Sequence, residues 1–370
     1  MLRERLTPRA NWQRQFEELG FHFHSLDDVY WDESACYQFS SSEIDMLEEA
    51  TWKMHELCLK AVDHVISKKL FKPFALPGWF IEYVVDSWEA DDPSLYGRFD
   101  FRYDGINAPK LLEYNADTPT ALLEAAVVQW FWLQDTRPTS DQFNSIHERL
   151  IAAWQRWGGK ALHFSAIKEH PEDEQTVLYL RDTAEQAGVA TQFIHVEDIG
   201  WNGADFVDLA EAPIAQCFKL YPWEWLWHEE FGAHLARERT RFIEPTWKML
   251  LSNKGLLPIL WELFPGHPNL LPAYEAPEPL GQNFIKKPKL SREGANITLV
   301  REGKVAEEAG GDYGAEGFVY QALAPSPDFA GNHPIFGVWV VDHAAAGLGI
   351  REDTRRITGN LSRFVPHFFN

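Results

Sequence analysis

Cysteine is scarce in this 370-residue chain, with only Cys36, Cys58 and Cys217 present. Three widely spaced thiols with no CxxC pair supply neither a disulfide framework nor a zinc site, and they fit a reducing compartment. Positive charge is also short: 34 Lys and Arg stand against 55 Asp and Glu, a net charge of −21. Such a field repels nucleic acid and anionic membrane, and any site for an anion must be locally basic against it. No apolar run approaches the roughly 18 residues that would span a bilayer. The opening MLRERLTPRANWQRQFEELGF lacks an apolar signal core, so a cytoplasmic protein is expected. Common catalytic signatures are missing as well. There is no GxxxxGK[ST] phosphate loop and no GxSxG elbow. Gly347-Leu348-Gly349 lacks the third glycine of a dinucleotide fingerprint. His228 and His234 are six apart, not at the spacing of a zinc-peptidase helix.

Aromatic residues, by contrast, are plentiful, with 16 Trp and 25 Phe in a chain that is 45% hydrophobic. That is enough for a sizeable core in one large unit or two to three lobes. Residues 1–30 read as a short amphipathic helix and a turn. Residues 42–70 give the clearest helix, with Ser41 or Ser42 as its cap, Glu43 and Asp45 in the first turn, and Met46, Ala50, Met54, Leu57, Ala61 and Val65 at helical spacing. His55 and His64 on that helix read as packing or surface residues. Further helices are predicted over 122–134 and 141–158. Residues 159–200 read as strand, helix, strand, with Gly188 ending the helix. Proline punctuates 244–279, around helical pieces at 247–251 and 259–263. From Phe284 the pattern is strand-rich, ending in the loop-like GLGIREDTRRITGNLSRFVPH.

The most informative stretch is 97–120, GRFDFRYDGINAPKLLEYNADTPT. It alternates, turns at Asp104-Gly105 and alternates again, so that Arg98, Asp100, Glu113 and Asn115 can share one face of a hairpin. Three oxygen donors beside a guanidinium suit a magnesium-phosphate site; a hairpin with its polar face in water satisfies the same pattern. Downstream, Lys287 closes a strand and is followed by a loop containing Arg292 and Gly294 and then another strand. This arrangement can cover phosphate, with Gly294 opening the backbone amides to it. A basic surface hairpin is the alternative. The stretch Tyr320-Gln321-Ala322-Leu323 could offer backbone bonds to an adenine edge.

Taken together, several motifs resemble the glutathionylspermidine synthase superfamily, whose synthetase part is an ATP-grasp ligase. They are Trp31-Asp32-Glu33, RFDFRYDG with LLEYNADTPT, Glu244-Pro245-Thr246-Trp247 with Asn253-Lys254, Leu257-Pro258 with Trp261, Lys287-Pro288 with Arg292, Gly294 and Asn296, Tyr320-Gln321, and Arg351. They run in order from residue 31 to residue 351, nearly the whole chain. The resemblance implies an α/β (α+β) chain, an ATP-grasp with a lobe like a pre-ATP-grasp domain. The synthetase unit would occupy 1–370, its small α/β lobe about 159–230, a nucleotide-covering lid about 244–330, and the central catalytic sheet 97–120 with 331–370. Bifunctional members carry an additional N-terminal amidase domain, for which this sequence has no room.

Residue by residue, the resemblance implies that Arg98 and Arg351 hold the transferring phosphate and the acyl-phosphate. It implies that Asp100, Glu113 and Asn115 bind magnesium, with two ions expected. Lys254 and Lys287 would contact the phosphates of ATP, Gly294 would belong to the covering loop, and Gln321, Ala322, Leu323 and Ala324 would hold the adenine. Thr118 and Thr120 would face the acid substrate. The implied reaction joins a carboxylic acid, glutathione or another peptide-like acid, to a polyamine-like amine through an acyl-phosphate. The alternatives are an ATP-grasp phosphotransferase and a non-catalytic nucleotide-binding relative. Expected partners are these small molecules, with neither nucleic acid nor membrane, and a homodimer is the assembly considered. Two departures bear on substrates. The family's amine-binding acids have only neighbourhood candidates here, Glu172, Asp173 and Glu174, and Tyr221-Pro222-Trp223-Glu224-Trp225 stands where other residues are expected.

Overall fold

The stretch 97–120 forms the hairpin that its alternation requires. Strands Tyr96–Arg102 and Lys110–Asn115 pair antiparallel, with Arg98 opposite Asn115 and Asp100 opposite Glu113. Asp104 holds the turn, its Oδ1 accepting from the amides of Ile106 at 2.9 Å and Asn107 at 2.7 Å. Gly105 adopts φ +77°, which glycine takes without strain. The structure, a computed structural model, describes residues 1–25, 29–235, 239–324, 327–360 and 362–370. Part of the turn expected to close 1–30, two residues near the end of the expected lid and one in the final segment lie outside the described residues.

The hairpin lies at one edge of a five-stranded antiparallel sheet. From the opposite edge the order is Arg363–Phe364, Ala344–Asp353, His333–Val341, then Tyr96–Arg102 and Lys110–Asn115. Because side chains alternate across a sheet, Phe99, Phe101, Tyr114, Val338, Leu348 and Ile350 all go to one face and are buried. Phe99 stacks on Tyr114 with ring centroids 3.7 Å apart. These residues share a core with Met54, Leu57 and Ala61 of the helix Ser41–Lys68. The other face, carrying Arg98, Asp100, Glu113 and Asn115, is left for chemistry.

The long helix follows its predicted spacing, but its cap is Ser40, one residue earlier than expected. Ser40 accepts from the amide of Glu43 while the Glu43 carboxylate accepts from the amide of Ser40. This reciprocal pair is worth about 1 kcal/mol. Other expectations need correction. Residues Leu2–Arg5 form a strand, not a helix. It pairs with Ala35–Phe39, which also takes the C-terminal strand His367–Phe369 on its other side, and among the described residues of 1–30 only Trp12–Glu17 is helical. Residues Glu124–Val128 make a π-helical turn leading into the helix Gln129–Thr136. The next helix is shorter than predicted, Ile146–Trp154. A helix at Gly78–Glu89 has no counterpart among the sequence expectations.

Two further sheets flank the hairpin. One is parallel, ordered Arg241–Ile243, Gln216–Lys219, Leu162–Ala166, Thr191–His195, with helix Pro171–Gln186 as a crossover. Gly188, at φ +83°, follows that helix as its sequence position predicts. The other is antiparallel, ordered Ala273–Tyr274, Phe318–Ala322, Phe284–Pro288, Thr298–Arg301, Lys304–Glu308. Among the described residues no helix is long and apolar enough to cross a membrane.

Candidate active site

A cavity of about 360 Å³ opens between the polar face of the central sheet and the two flanking sheets. Among the described residues that line it, seven are Arg or Lys and four are Asp or Glu, so this locality is basic in a chain of net charge −21. That inversion is what a polyphosphate site requires.

The floor follows from strand register. Arg98 donates from Nε to Asp100 Oδ1 at 2.7 Å, from Nη2 to Asp100 Oδ2 at 3.0 Å, and from Nη1 to the Thr120 carbonyl at 2.6 Å. Burial alone would weaken the guanidinium's hold on its proton, but Asp100 outweighs it and the pKa of Arg98 is raised. Asn115 donates from Nδ2 to Asp100 Oδ2 at 3.1 Å and to Glu113 Oε1 at 3.4 Å, gathering three oxygen-bearing side chains around one point. Gly337 lies opposite Asp100 on the next strand, and a Cβ there would come within 2.8 Å of Arg98 Cδ. Glycine is therefore required for Arg98 to lie across the sheet.

Cations close over this floor. Lys254 sits 3.0 Å from Glu113 Oε2 and donates to the Ser291 carbonyl at 2.6 Å. Lys287 donates to the Leu112 carbonyl at 2.9 Å and to Gln321 Oε1 at 2.8 Å, and Gln321 Nε2 reaches the Leu111 carbonyl at 3.0 Å. Burial lifts the Glu113 carboxyl, yet Lys254 and Lys287 more than reverse this and bring its pKa down to about 2. Burial brings Lys287 down to about 8. Gln321 thus orients Lys287 and is itself buried. Leu323 and Ala324 line the cavity with Ile285, Leu299 and Ile335 as its apolar part, while Ala322 lies in the sheet opposite Phe284.

Arg351 was expected in a terminal loop. It lies in the ten-residue strand Ala344–Asp353, opposite Ile335, on the same face as the other site residues. Its guanidinium donates to the carbonyls of Ser362 at 2.7 Å, Gly359 at 3.0 Å and Asn360 at 2.7 Å, and rests 5.1 Å from the centroid of the Tyr30 ring. The Tyr30 hydroxyl donates to Glu124 Oε1 at 2.5 Å. Glu124 is completely buried, and burial, reinforced by Glu172, pushes its carboxyl up to about 7. Gly294 lies at the cavity wall with φ +73°, and a Cβ there would be 2.3 Å from the Thr358 carbonyl. Close approach to this neighbouring loop, as well as backbone conformation, accounts for its glycine.

The wall toward the parallel sheet is tied together by Asp117, Lys219 and Glu224, which sequence reasoning left without roles. Arg292 donates to Glu224 Oε1 at 2.9 and 2.6 Å and to Thr118 Oγ1 at 2.5 Å. Asp117, wholly buried, accepts from Lys219 Nζ at 2.8 Å and from the Trp223 amide at 3.0 Å. It thereby fixes the Tyr221-Pro222-Trp223 segment against the end of the hairpin. Of the neighbourhood acids, Asp173 lines the cavity with His170 and Glu293, whereas Glu174 turns toward His195 at 3.7 Å. Burial, with Glu172 and Glu293 near, pushes Asp173 up to about 6 against the pull of His170. In the sequence, Asp117 and Glu224 stand only within NADTPT and YPWEW, which say nothing of their partners.

Oxygen donors alone, two carboxylates and one amide, suit magnesium, which takes few protein ligands and completes its shell with phosphate and water. Among the described residues no three His, Cys, Asp or Glu side chains gather as a self-sufficient metal cage. Asp100, Glu113 and Asn115 therefore fit an ion that arrives with its nucleotide.

The family model described as glutathionylspermidine synthase preATP-grasp matches residues 3–370. A Haemophilus influenzae protein whose name assigns it to the acid–amine ligases is 44% identical, over 98% of this chain and 97% of its own. Trypanothione synthetase of Crithidia fasciculata is 28% identical over 85% of this chain, and the bifunctional glutathionylspermidine synthetase/amidase of Escherichia coli 26% identical over 89%. The chain spans only 53% and 58% of those two longer proteins. Among solved structures, a glutathione synthetase-like effector from Globodera pallida covers 99% of this chain and 100% of its own at a TM-score of 0.58 and 11% identity, a likeness of fold alone. On the match across 3–370 and the 44% identical relative, the chain belongs to the glutathionylspermidine synthase family and is an ATP-dependent C–N ligase of the ATP-grasp fold.

Proposed function

We propose that this ligase joins a peptide-like acid, glutathione being the favoured example, to a polyamine-like amine through an acyl-phosphate. The observation that carries the reading is the single sheet face on which Arg98, Asp100, Glu113, Asn115 and Arg351 converge beneath Lys287. In this reading Leu323, Ala324 and the backbone around Ala322 hold the adenine in the apolar part of the cavity. Lys254, Lys287 and the loop at Gly294 take the phosphates, and the antiparallel sheet of residues 273–322 serves as the covering lid. Asp100, Glu113 and Asn115 would hold magnesium, two ions in the full complement, which would neutralise the phosphate oxygens.

A carboxylate is a poor electrophile, and phosphorylation gives it a leaving group. Arg98 and Arg351 stand on one face of the sheet, two strands apart, and both line the cavity in which charge would accumulate on the transferring phosphoryl group. A well-placed donor at such a point is worth about 3 kcal/mol. Arg98 is held by two bonds to Asp100, which would have to loosen for Asp100 to hold a metal and for Arg98 to meet phosphate. Thr118 and Thr120 lie on the acid's side. Asp173 and Glu293, which also line the cavity, supply negative charge suited to a cationic amine. The amine then attacks the acyl carbon, phosphate leaves with the bonding electrons, and the amine's proton is lost to solvent or a nearby base.

The test is a mass-spectrometric screen of acids and amines with Mg·ATP for a condensed product one water lighter than its parents. ADP formation that depends on both acid and amine supports the reading. ADP formation indifferent to added amine refutes it in favour of simple phosphotransfer, and product from an acid other than glutathione would replace the favoured substrate.

A further inference from the structure

Arg351 and the covering sheet are joined through one short loop. We propose that Glu307, on the outer strand Lys304–Glu308 of that sheet, is a positioning residue for Arg351. This rests on the role assigned to Arg351 above. The Glu307 carboxylate reaches across to the loop that follows the Arg351 strand, accepting from the amide of Arg356 at 3.2 Å and that of Ile357 at 3.0 Å. The same loop then supplies the Gly359, Asn360 and Ser362 carbonyls that hold the Arg351 guanidinium. Within the loop, Ser362 Oγ accepts from the Gly359 amide at 2.9 Å and donates to Asp353 Oδ2 at 2.7 Å. From below, Arg102 Nη2 donates to the Arg356 carbonyl at 2.8 Å.

The covering sheet touches this loop twice, because Gly294 is also seated against the Thr358 carbonyl. Displacement of the sheet therefore pulls on the loop, and the loop carries three of the bonds that aim Arg351. A carboxylate accepting two successive backbone amides is a rigid, two-point attachment, stronger than a neutral acceptor. By this linkage, nucleotide drawing the sheet down also sets the guanidinium before phosphate transfer. Both rest on elements widely separated in sequence, and nothing in the loop's own composition indicates the connection.

Glu307→Ala and Glu307→Gln test this with Mg·ATP, glutathione and spermidine, or with the acid and amine that the screen returns. Glu307→Ala is expected to lower kcat about tenfold or more while the Kd for Mg·AMP-PNP stays within about twofold. Glutamine keeps one oxygen acceptor and should recover part of the loss. In an Arg351→Lys background the Glu307→Ala effect should vanish, because the two act through one group. Persistence of the full effect there, an unchanged kcat, or parallel loss of nucleotide affinity would overturn the proposal. If the wild type forms no product with any pair, the ligase reading fails separately. Tryptic cleavage after Arg355 and Arg356 then decides, since equal rates in wild type and Glu307→Ala would rule out any fastening of the loop.

Discussion

Glu124 offers a quantitative test, because an acid whose burial outweighs the pull of Arg351 must register in stability. Its side chain is fully buried, bonded through Oε1 to Tyr30, with Oε2 lacking a partner. The groups that face it are the Tyr30 hydroxyl, Glu172 and Arg351, and burial is the dominant influence. Its pKa rises from 4.5 to about 7 on folding. Between those values the folded chain keeps a proton that the unfolded chain has released, so stability falls as pH rises and the loss is complete above the folded value. About 2.5 pH units at 1.36 kcal/mol each gives roughly 3 kcal/mol. Glu124→Gln reproduces the protonated side chain and still accepts from Tyr30. The variant should match wild type near about pH 4.5 and exceed it by roughly 3 kcal/mol near about pH 8. At the entropy of unfolding usual for a chain this long, that gap is about 4 °C in Tm. Thermal melts of both proteins across that range supply the measurement. A Tm difference that does not change with pH would refute the argument.

Other expectations are equally direct. Lys248 sits 3.1 Å from Glu244 in the core, so Lys248→Met strands a buried carboxylate and should cost about 3–5 kcal/mol in denaturant titrations. Gly337→Ala should push Arg98 off Asp100, costing about 1–3 kcal/mol by overpacking and most of the turnover, as followed by ADP formation. Lys287 loses its proton near about 8, so affinity for Mg·AMP-PNP measured by calorimetry should fall as pH passes that point, and Lys287→Arg should flatten the profile.

The hairpin was legible in the sequence because a strand's period of two places Arg98, Asp100, Glu113 and Asn115 on one face whatever surrounds them. Arg351 was legible as a residue but not as part of a strand. Gly347 and Gly349 beside it read as loop, whereas they are there for clearance: a Cβ at Gly347 would come within 2.8 Å of Ile146, and one at Gly349 within 3.1 Å of Phe364. The strand Leu2–Arg5 was hidden by its charges, since Arg3 is held by Glu352 from the far end of the chain. Helix Gly78–Glu89 is built largely from aromatic and β-branched residues, whose local preference opposes the helix that packing imposes. The ties of Arg292 to Glu224 and of Asp117 to Lys219 arise only when three sheets meet, so no local pattern announces them.

The order of the central sheet has a consequence for biosynthesis. Tyr96–Arg102 pairs on one side with a strand that follows it immediately, but its other partner, His333–Val341, emerges more than two hundred residues later. At usual rates of translation the ribosome needs on the order of tens of seconds to deliver that partner. During this interval one edge of an aromatic-rich strand is exposed without its neighbour, a state open to pairing with other nascent chains. Completion of the ligase face is thus one of the last events in making the protein, and its yield should respond to chaperones that shelter strand edges.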